Sequence, residues 1–173
     1  MGTASCSAPT YRTEVPLTDQ TFESADGLLK GRVPEGWFVS TDGEIAPQLA
    51  AWLVRKDYGA ALTFQEFRLD PGSARYVERE GLPSLADISF HFRQAEEPSA
   101  TLVTKPSEFL AGGRSFCRYE YNSSRQGGLV SVAVFLSGGR FYESAAFTLK
   151  RLPSDEFGAI QNTQRAVLVS LQP

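Results

Sequence analysis

Two near-copies of one eight-residue phrase constrain this chain more than any other feature. The first is Phe109-Leu110-Ala111-Gly112-Gly113-Arg114-Ser115-Phe116. The second is Phe135-Leu136-Ser137-Gly138-Gly139-Arg140-Phe141-Tyr142. In each, an apolar segment runs into a Gly-Gly pair and an apolar-alternating segment leaves it. Two-residue hairpin turns need positive φ, which glycine reaches without steric cost. The C-terminal half therefore reads as antiparallel hairpins. A phosphate-binding loop would need a helix after its glycines. Here, and after Gly127-Gly128, strand-like segments follow, so the glycine pairs read as turns.

Four strands are expected in series, over about 101–110, 114–122, 129–137 and 140–151. Val130, Val132, Val134 and Leu136 share one face of the third, and Phe141, Ala145, Phe147 and Leu149 one face of the fourth. Sequential hairpins make a meander. Upstream, 28–33 reads as a strand closed by Pro34-Glu35-Gly36-Trp37, and 41–47 as a loop. A hairpin over 49–56 and 60–69 turns at Asp57-Tyr58-Gly59, with Trp52 and Val54 on one face, Leu62 and Phe64 on one face, and a bulge near Phe67.

Asp70-Pro71 caps and opens a helix that runs to Glu80 and stops at Gly81. A second helix starts at Ser84, with Asp87 completing a capping box and Leu85, Ile88, Phe92 and Ala95 on one face; Pro98 ends it. A last helix is capped by Ser154 and carries Phe157, Ile160, Val167, Leu168 and Leu171 on its apolar face. A sheet with an apolar face must cover it. The expected class is α+β: an antiparallel sheet, made of the N-terminal hairpin and the four-strand meander, covered by helices.

At 173 residues the chain suits one domain with a real core. Residues 1–19, rich in Ser, Thr and Pro, read as a tail or tether, and 20–173 as a single domain. Twelve Phe, 6 Tyr and 2 Trp supply β-rich core material. A net charge of −3 argues against a dedicated nucleic-acid binder, which needs a basic excess. No apolar run is long enough to cross a bilayer, and a complete signal peptide is missing. Ala4-Ser5 before Cys6 nevertheless resembles the end of a bacterial lipoprotein signal, which makes Cys6 the expected point of lipid attachment; a stray cysteine in a tail is the alternative. Cys117 aligns with Tyr119 and Tyr121 and reads as a core filler rather than a disulfide partner of Cys6 or a catalytic thiol.

The order of elements resembles the PsbP-like fold, the superfamily of the photosystem II extrinsic protein P, DcrB-type bacterial envelope lipoproteins and chaperones of type VI secretion effectors. Gly31-Arg32-Val33-Pro34-Glu35-Gly36-Trp37 resembles its strand-to-turn opening and Val167-Leu168-Val169-Ser170-Leu171 the end of its last helix, over about residues 21–172. The resemblance implies an α/β/α sandwich and brings no catalytic or metal residue, because the scaffold has no shared active site.

Among chemistry-bearing residues, His91 is the single histidine and lacks partners at ligand spacing, so it reads as structural or surface. No Gly-x-Ser-x-Gly elbow is present. The acid pairs Glu96-Glu97 and Asp155-Glu156 read as solvated surface. Arg114 and Arg140 each follow a glycine turn and are expected at one edge of the sheet, ready for an anionic partner or serving solubility. Trp37, Trp52, Tyr58 and Tyr76 are candidates for an aromatic patch, Trp37 and Tyr58 foremost, with core packing as the default for both tryptophans.

The expected function is that of a non-enzymatic bacterial envelope protein, periplasmic, tethered through Cys6, that binds a protein or a lipid-like ligand with no cofactor, metal or nucleic acid. The second reading is a cytosolic chaperone with an apolar groove for a partner's helices. The third is an enzyme whose site no short motif reveals.

Overall fold

The computed structural model describes residues 14–40, 49–153 and 155–172. Cys6, the loop at 41–47 and the Ser154 cap lie outside the described residues.

Nine strands and three helices are formed among those residues. Seven strands make one antiparallel sheet: β3 (Trp37–Val39), β4 (Leu49–Arg55), β5 (Ala60–Glu66), β9 (Arg140–Thr148), β8 (Gly128–Ser137), β7 (Arg114–Ser123) and β6 (Thr101–Ala111), in that spatial order. The meander β6–β9 is thus joined to the β3–β5 segment through β5 and β9, from Ala60 opposite Thr148 to Glu66 opposite Tyr142. A separate antiparallel pair, β1 (Leu17–Glu23) and β2 (Lys30–Pro34), lies apart from the sheet. β1 takes in Leu17–Asp19, at the end of the segment expected as a tail. Its alternation is faint because only Phe22 is buried; that ring packs on Phe64 at 5.2 Å.

The glycine turns have the geometry their composition requires. Gly112 and Gly113 have φ of 57° and 77°, Gly138 and Gly139 of 55° and 75°. Each pair joins directly opposed residues, Ala111 to Arg114 and Ser137 to Arg140, as in a type I′ hairpin. Gly127 alone of the third pair turns the chain, with φ of 71°, and Gly128 already opens β8.

Both faces of the sheet are covered. On one, helix α3 (Glu156–Ser170) and the β1–β2 hairpin bring Phe22, Val33, Ile160, Val167 and Leu168 onto Leu62, Phe64, Phe116 and Phe135. On the other, α1 (Pro71–Glu80) and α2 (Leu82–Glu96) bring Val77, Leu85 and Ala86 onto Cys117, Tyr119, Val130, Val132 and Val134. This is an α/β/α sandwich. β8 and β9 are buried along most of their length, and small residues under the helices let them close in. Gln164 of α3 reaches between them and donates to the Ser144 and Ser131 carbonyls at 2.9 and 3.3 Å.

Asp70 caps α1, its carboxylate accepting from the Gly72 and Ser73 amides at 2.8 and 3.1 Å. Two expectations for α2 are corrected. It starts at Leu82, with Gly81 at the N-cap, and Ser84 is already inside it, donating its hydroxyl back to the Gly81 carbonyl at 2.7 Å. Its buried face is Ser84, Leu85, Ala86 and Ser89, whose small side chains allow close approach to the sheet; Phe92, expected in the core, is 56% exposed. Leu136 and Leu149 are likewise exposed rather than aligned with the core.

Candidate functional site

A cleft of about 830 Å³ opens where β5 ends beside the start of β9. Its walls come from five separate places: the β1–β2 turn, the first residues of β4, the chain leaving β5, the last turns of α2 and the start of β9.

Arg140, the first residue after the Gly138-Gly139 turn, enters the cleft and forms ion pairs with Asp26 at 2.8 Å and Glu66 at 3.3 Å. Asp26 is presented by a tight turn in which its carboxylate accepts from the Ser24 hydroxyl at 2.6 Å and the Leu28 amide at 3.1 Å. Those bonds, with Arg140 behind them, hold its carboxyl below the usual carboxylate range. Arg68 adds a second guanidinium to Glu66 at 3.5 Å.

Deeper in, Glu143 projects from β9 under α2 and is 2% exposed. Arg93 pairs with one carboxylate oxygen, and the Ser89 hydroxyl donates to the other at 2.7 Å. Ser89 has a single proton to give, so the Tyr119 hydroxyl, 2.7 Å from it, donates to Ser89. A chain Tyr119–Ser89–Glu143–Arg93 thus runs from core to cleft. Arg93 also reaches Glu96 at 3.8 Å, on the rim. Both oxygens of the buried acid are satisfied, which is what makes a charge tolerable there.

Tyr142, next to Glu143 but facing the opposite side of the sheet, also lines the cleft. It is 1% exposed, and its hydroxyl is buried with no hydrogen-bond partner. Burial first, then the Asp26 and Glu66 carboxylates, raise its pKa, so it stays a neutral phenol. The apolar part of the wall is led by Phe92, which stands edge-on to Phe67 at 5.4 Å.

Of the candidate binding residues Arg114, Arg140, Trp37 and Tyr58, Arg140 alone lines this cleft; Glu96 of the first acid pair stands on its rim. Arg114 opens β7 at the same end of the meander, half-buried, with its Nη1 buried and unpartnered. Trp37 is 7% exposed and packs in the core under α3, as the default reading of it has it, which corrects its candidacy for a surface patch. Tyr58 is 66% exposed, but it sits in the β4–β5 turn at the far end of β5, edge-on to Phe38 at 5.8 Å. Tyr76 lies on α1 under the Arg79 guanidinium at 5.6 Å. Trp52 is half-buried, its indole N–H without a partner. His91 is exposed and donates from Nδ1 to the Asp87 carbonyl at 2.7 Å.

Cys117 is fully buried, and burial pushes its thiol up to about 12, as a core filler requires. Glu97, expected on solvated surface, is 7% exposed; it accepts from the Ser123 hydroxyl, the Ser124 amide and hydroxyl, and the Arg125 amide, pinning the β7–β8 loop. Glu156 ties the start of α3 to Arg55 at 2.9 Å.

Glu143 was missed in the sequence, yet a signal existed. Alternation places it between Phe141 and Ala145 on the covered face of a central strand. An acid there must find a cation, and Arg93, four residues after Ser89 on the facing helix, supplies it.

No protein-family model matches this sequence, and no curated protein matches it. Among solved structures, the cyanobacterial PsbP (CyanoP) of Synechocystis sp. PCC 6803 superposes with a TM-score of 0.53 at 12% identity, over 88% of this chain and 91% of that one. LpqN, involved in cell envelope biogenesis of Mycobacterium tuberculosis, aligns at 16% identity over 96% of this chain and 90% of its own, with a TM-score of 0.46. With its seven-stranded antiparallel sheet, separate N-terminal hairpin and helices on both faces, this chain superposes on CyanoP along nearly the whole of both chains, and its fold is PsbP-like.

Proposed function

We propose that this protein is a non-enzymatic binding protein of a bacterial cell envelope and that the cleft between α2, the β1–β2 turn and the ends of β5 and β9 is where it holds its ligand. The observation that carries the reading is the cleft itself: about 830 Å³ of concave surface, within the range of small-molecule sites, walled by ion pairs on one side and phenyl rings on the other. The charged groups are committed to one another: Glu143 to Arg93 and Ser89, Asp26 and Glu66 to Arg140. Carboxylates held against guanidiniums are fixed hydrogen-bonding points already engaged by their partners. That favours recognition over acid–base chemistry. The envelope assignment rests on Cys6 and the small residues before it.

Titration of ¹⁵N-labelled full chain with a detergent-free lipid and small-molecule extract of bacterial envelopes tests the binding role. Saturable amide shifts confined to Ala25, Gln65, Phe67 and Phe92 are expected. Shifts confined to other surfaces, or none, would overturn it. For the location, the intact mass of the natural gene product should rise by a diacylglyceryl group on Cys6; an unmodified cytosolic product would remove the envelope reading.

A further inference from the structure

We infer that the ligand is a neutral, hydroxyl-rich ring, a sugar taken either free or as the head group of a glycolipid. This deepens the reading of the cleft as a ligand site and rests on it.

Charge comes first. Three guanidiniums, Arg68, Arg93 and Arg140, meet four carboxylates, Asp26, Glu66, Glu96 and Glu143, in the cleft wall, and each guanidinium lies within 4.0 Å of at least one carboxylate. An anionic ligand would have to take an arginine away from its acid, and a cationic one an acid from its arginine. Either exchange breaks a pair to make a pair. A neutral ligand leaves the pairs intact and uses what they have left over: spare guanidinium N–H donors and spare carboxylate lone pairs, side by side and fixed in direction. Vicinal hydroxyls, each both donor and acceptor, match such a mixed array.

The phenyl ring of Phe92 comes second. It is the most exposed phenylalanine ring at the cleft, 56% accessible, and Phe67 fixes its orientation. A flat apolar plate beside fixed polar groups fits a ring whose edge carries hydroxyls and whose face carries only C–H.

Tyr142 is the third and independent observation. A buried phenol with no partner inside the protein is a donor still waiting for an acceptor. It belongs to the wall of this cleft, with Asp26, Glu66 and Arg140 around it. A small side-chain adjustment at that wall brings a ligand hydroxyl or ring oxygen to it.

The test uses ¹⁵N-labelled full chain with maltose, cellobiose and, below its micelle concentration, octyl glucoside as neutral probes; glucosamine and glucuronate are the charged controls and 1-octanol the chain control. The expected result is saturable shifts at Phe67, Phe92 and Tyr142 with the neutral sugars, weakened at least tenfold in both Tyr142→Phe and Phe92→Ala, each of which keeps a dispersed spectrum. Octyl glucoside binding at least tenfold tighter than the disaccharides identifies a lipid head group; equal binding identifies a free saccharide. Glucosamine or glucuronate binding as tightly as the neutral sugars, or octanol alone reproducing the shifts, overturns the sugar assignment and leaves the cleft a ligand site. If none of these probes perturbs the cleft but the envelope extract does, the sugar assignment alone falls. If neither does, both readings fall.

Discussion

Glu143 on the central strand β9 and Arg93 on helix α2 form an ion pair in which the acid is 2% exposed while the arginine keeps 26% of its side chain accessible. The two partners are therefore unequal. Removing Arg93 strands a carboxylate in the core with only Ser89 to answer it. Removing the charge of Glu143 leaves a guanidinium that still reaches water and Glu96.

That asymmetry sets the first expectation. Arg93→Met should cost about 3–5 kcal/mol, the usual penalty for an uncompensated buried charge. Glu143→Gln, which keeps an acceptor for Ser89, should cost only about 1–2 kcal/mol. Urea denaturation of both variants checks the order. Equal losses would mean that the pair is symmetric and that burial of the acid does not dominate.

Parts of this architecture were open to reading from the sequence. The turns at Gly112-Gly113 and Gly138-Gly139 were, because a tight hairpin's positive φ leaves glycine almost alone; the Asp70 cap was, because its partners are its own neighbours. The pairing of β5 with β9 was not: the contacts join segments far apart in the chain, and alternation along each strand says nothing about its neighbour. The cleft was even less accessible. Asp26, Glu66, Arg93 and Arg140 come from four different segments and look like surface charges when read singly. Phe92 was assigned to the core because helical periodicity shows which residues share a face, not how far along it the cover extends.

The two glycines of one turn should tolerate a methyl group differently. Gly113 has open space around its missing side chain, so Gly113→Ala meets only the strain of positive φ, about 1 kcal/mol. At Gly112 a Cβ would lie 2.8 Å from the Val169 carbonyl oxygen at the end of α3. Gly112→Ala should lose about 1–3 kcal/mol beyond that, because backbone of helix and turn must separate. Thermal melts of the two variants side by side decide it, and equal melting points would show that α3 does not press on the turn.

Glu97 ties the pH dependence of stability to the β7–β8 loop. Hydrogen bonds from Ser124, Ser123 and Arg125 hold its carboxyl at about 2, against 4.5 for an unperturbed side chain. A carboxyl lowered by folding contributes stability that is fully present above the unfolded value and is lost as pH falls toward the folded one. The contribution should therefore be complete at pH 6 and fade between about 4.5 and 2. Glu97→Gln should be less stable than the parent at pH 6 and draw level as pH approaches 2. A constant gap across that range would show that the loop is held by packing instead of by the charge.

Tyr142→Phe removes one oxygen and no packing. In the free protein that oxygen is buried and unpaired, and an unsatisfied buried hydroxyl costs about 1–3 kcal/mol where it stands. Most substitutions on a central strand are destabilising, but this one should leave the free chain as stable as the parent or up to about 1 kcal/mol more stable. The same change in a tyrosine that serves only the fold, with its hydroxyl paired, has the opposite sign. Tyr119→Phe provides that comparison: it breaks the bond to Ser89 at the end of the chain that steadies Glu143, so it should cost about 1 kcal/mol. Guanidinium denaturation of the two variants reads the difference directly. A loss at Tyr142 as large as that at Tyr119 would mean that its hydroxyl has a partner in the free protein, such as a bound water, and is not waiting for one from a ligand.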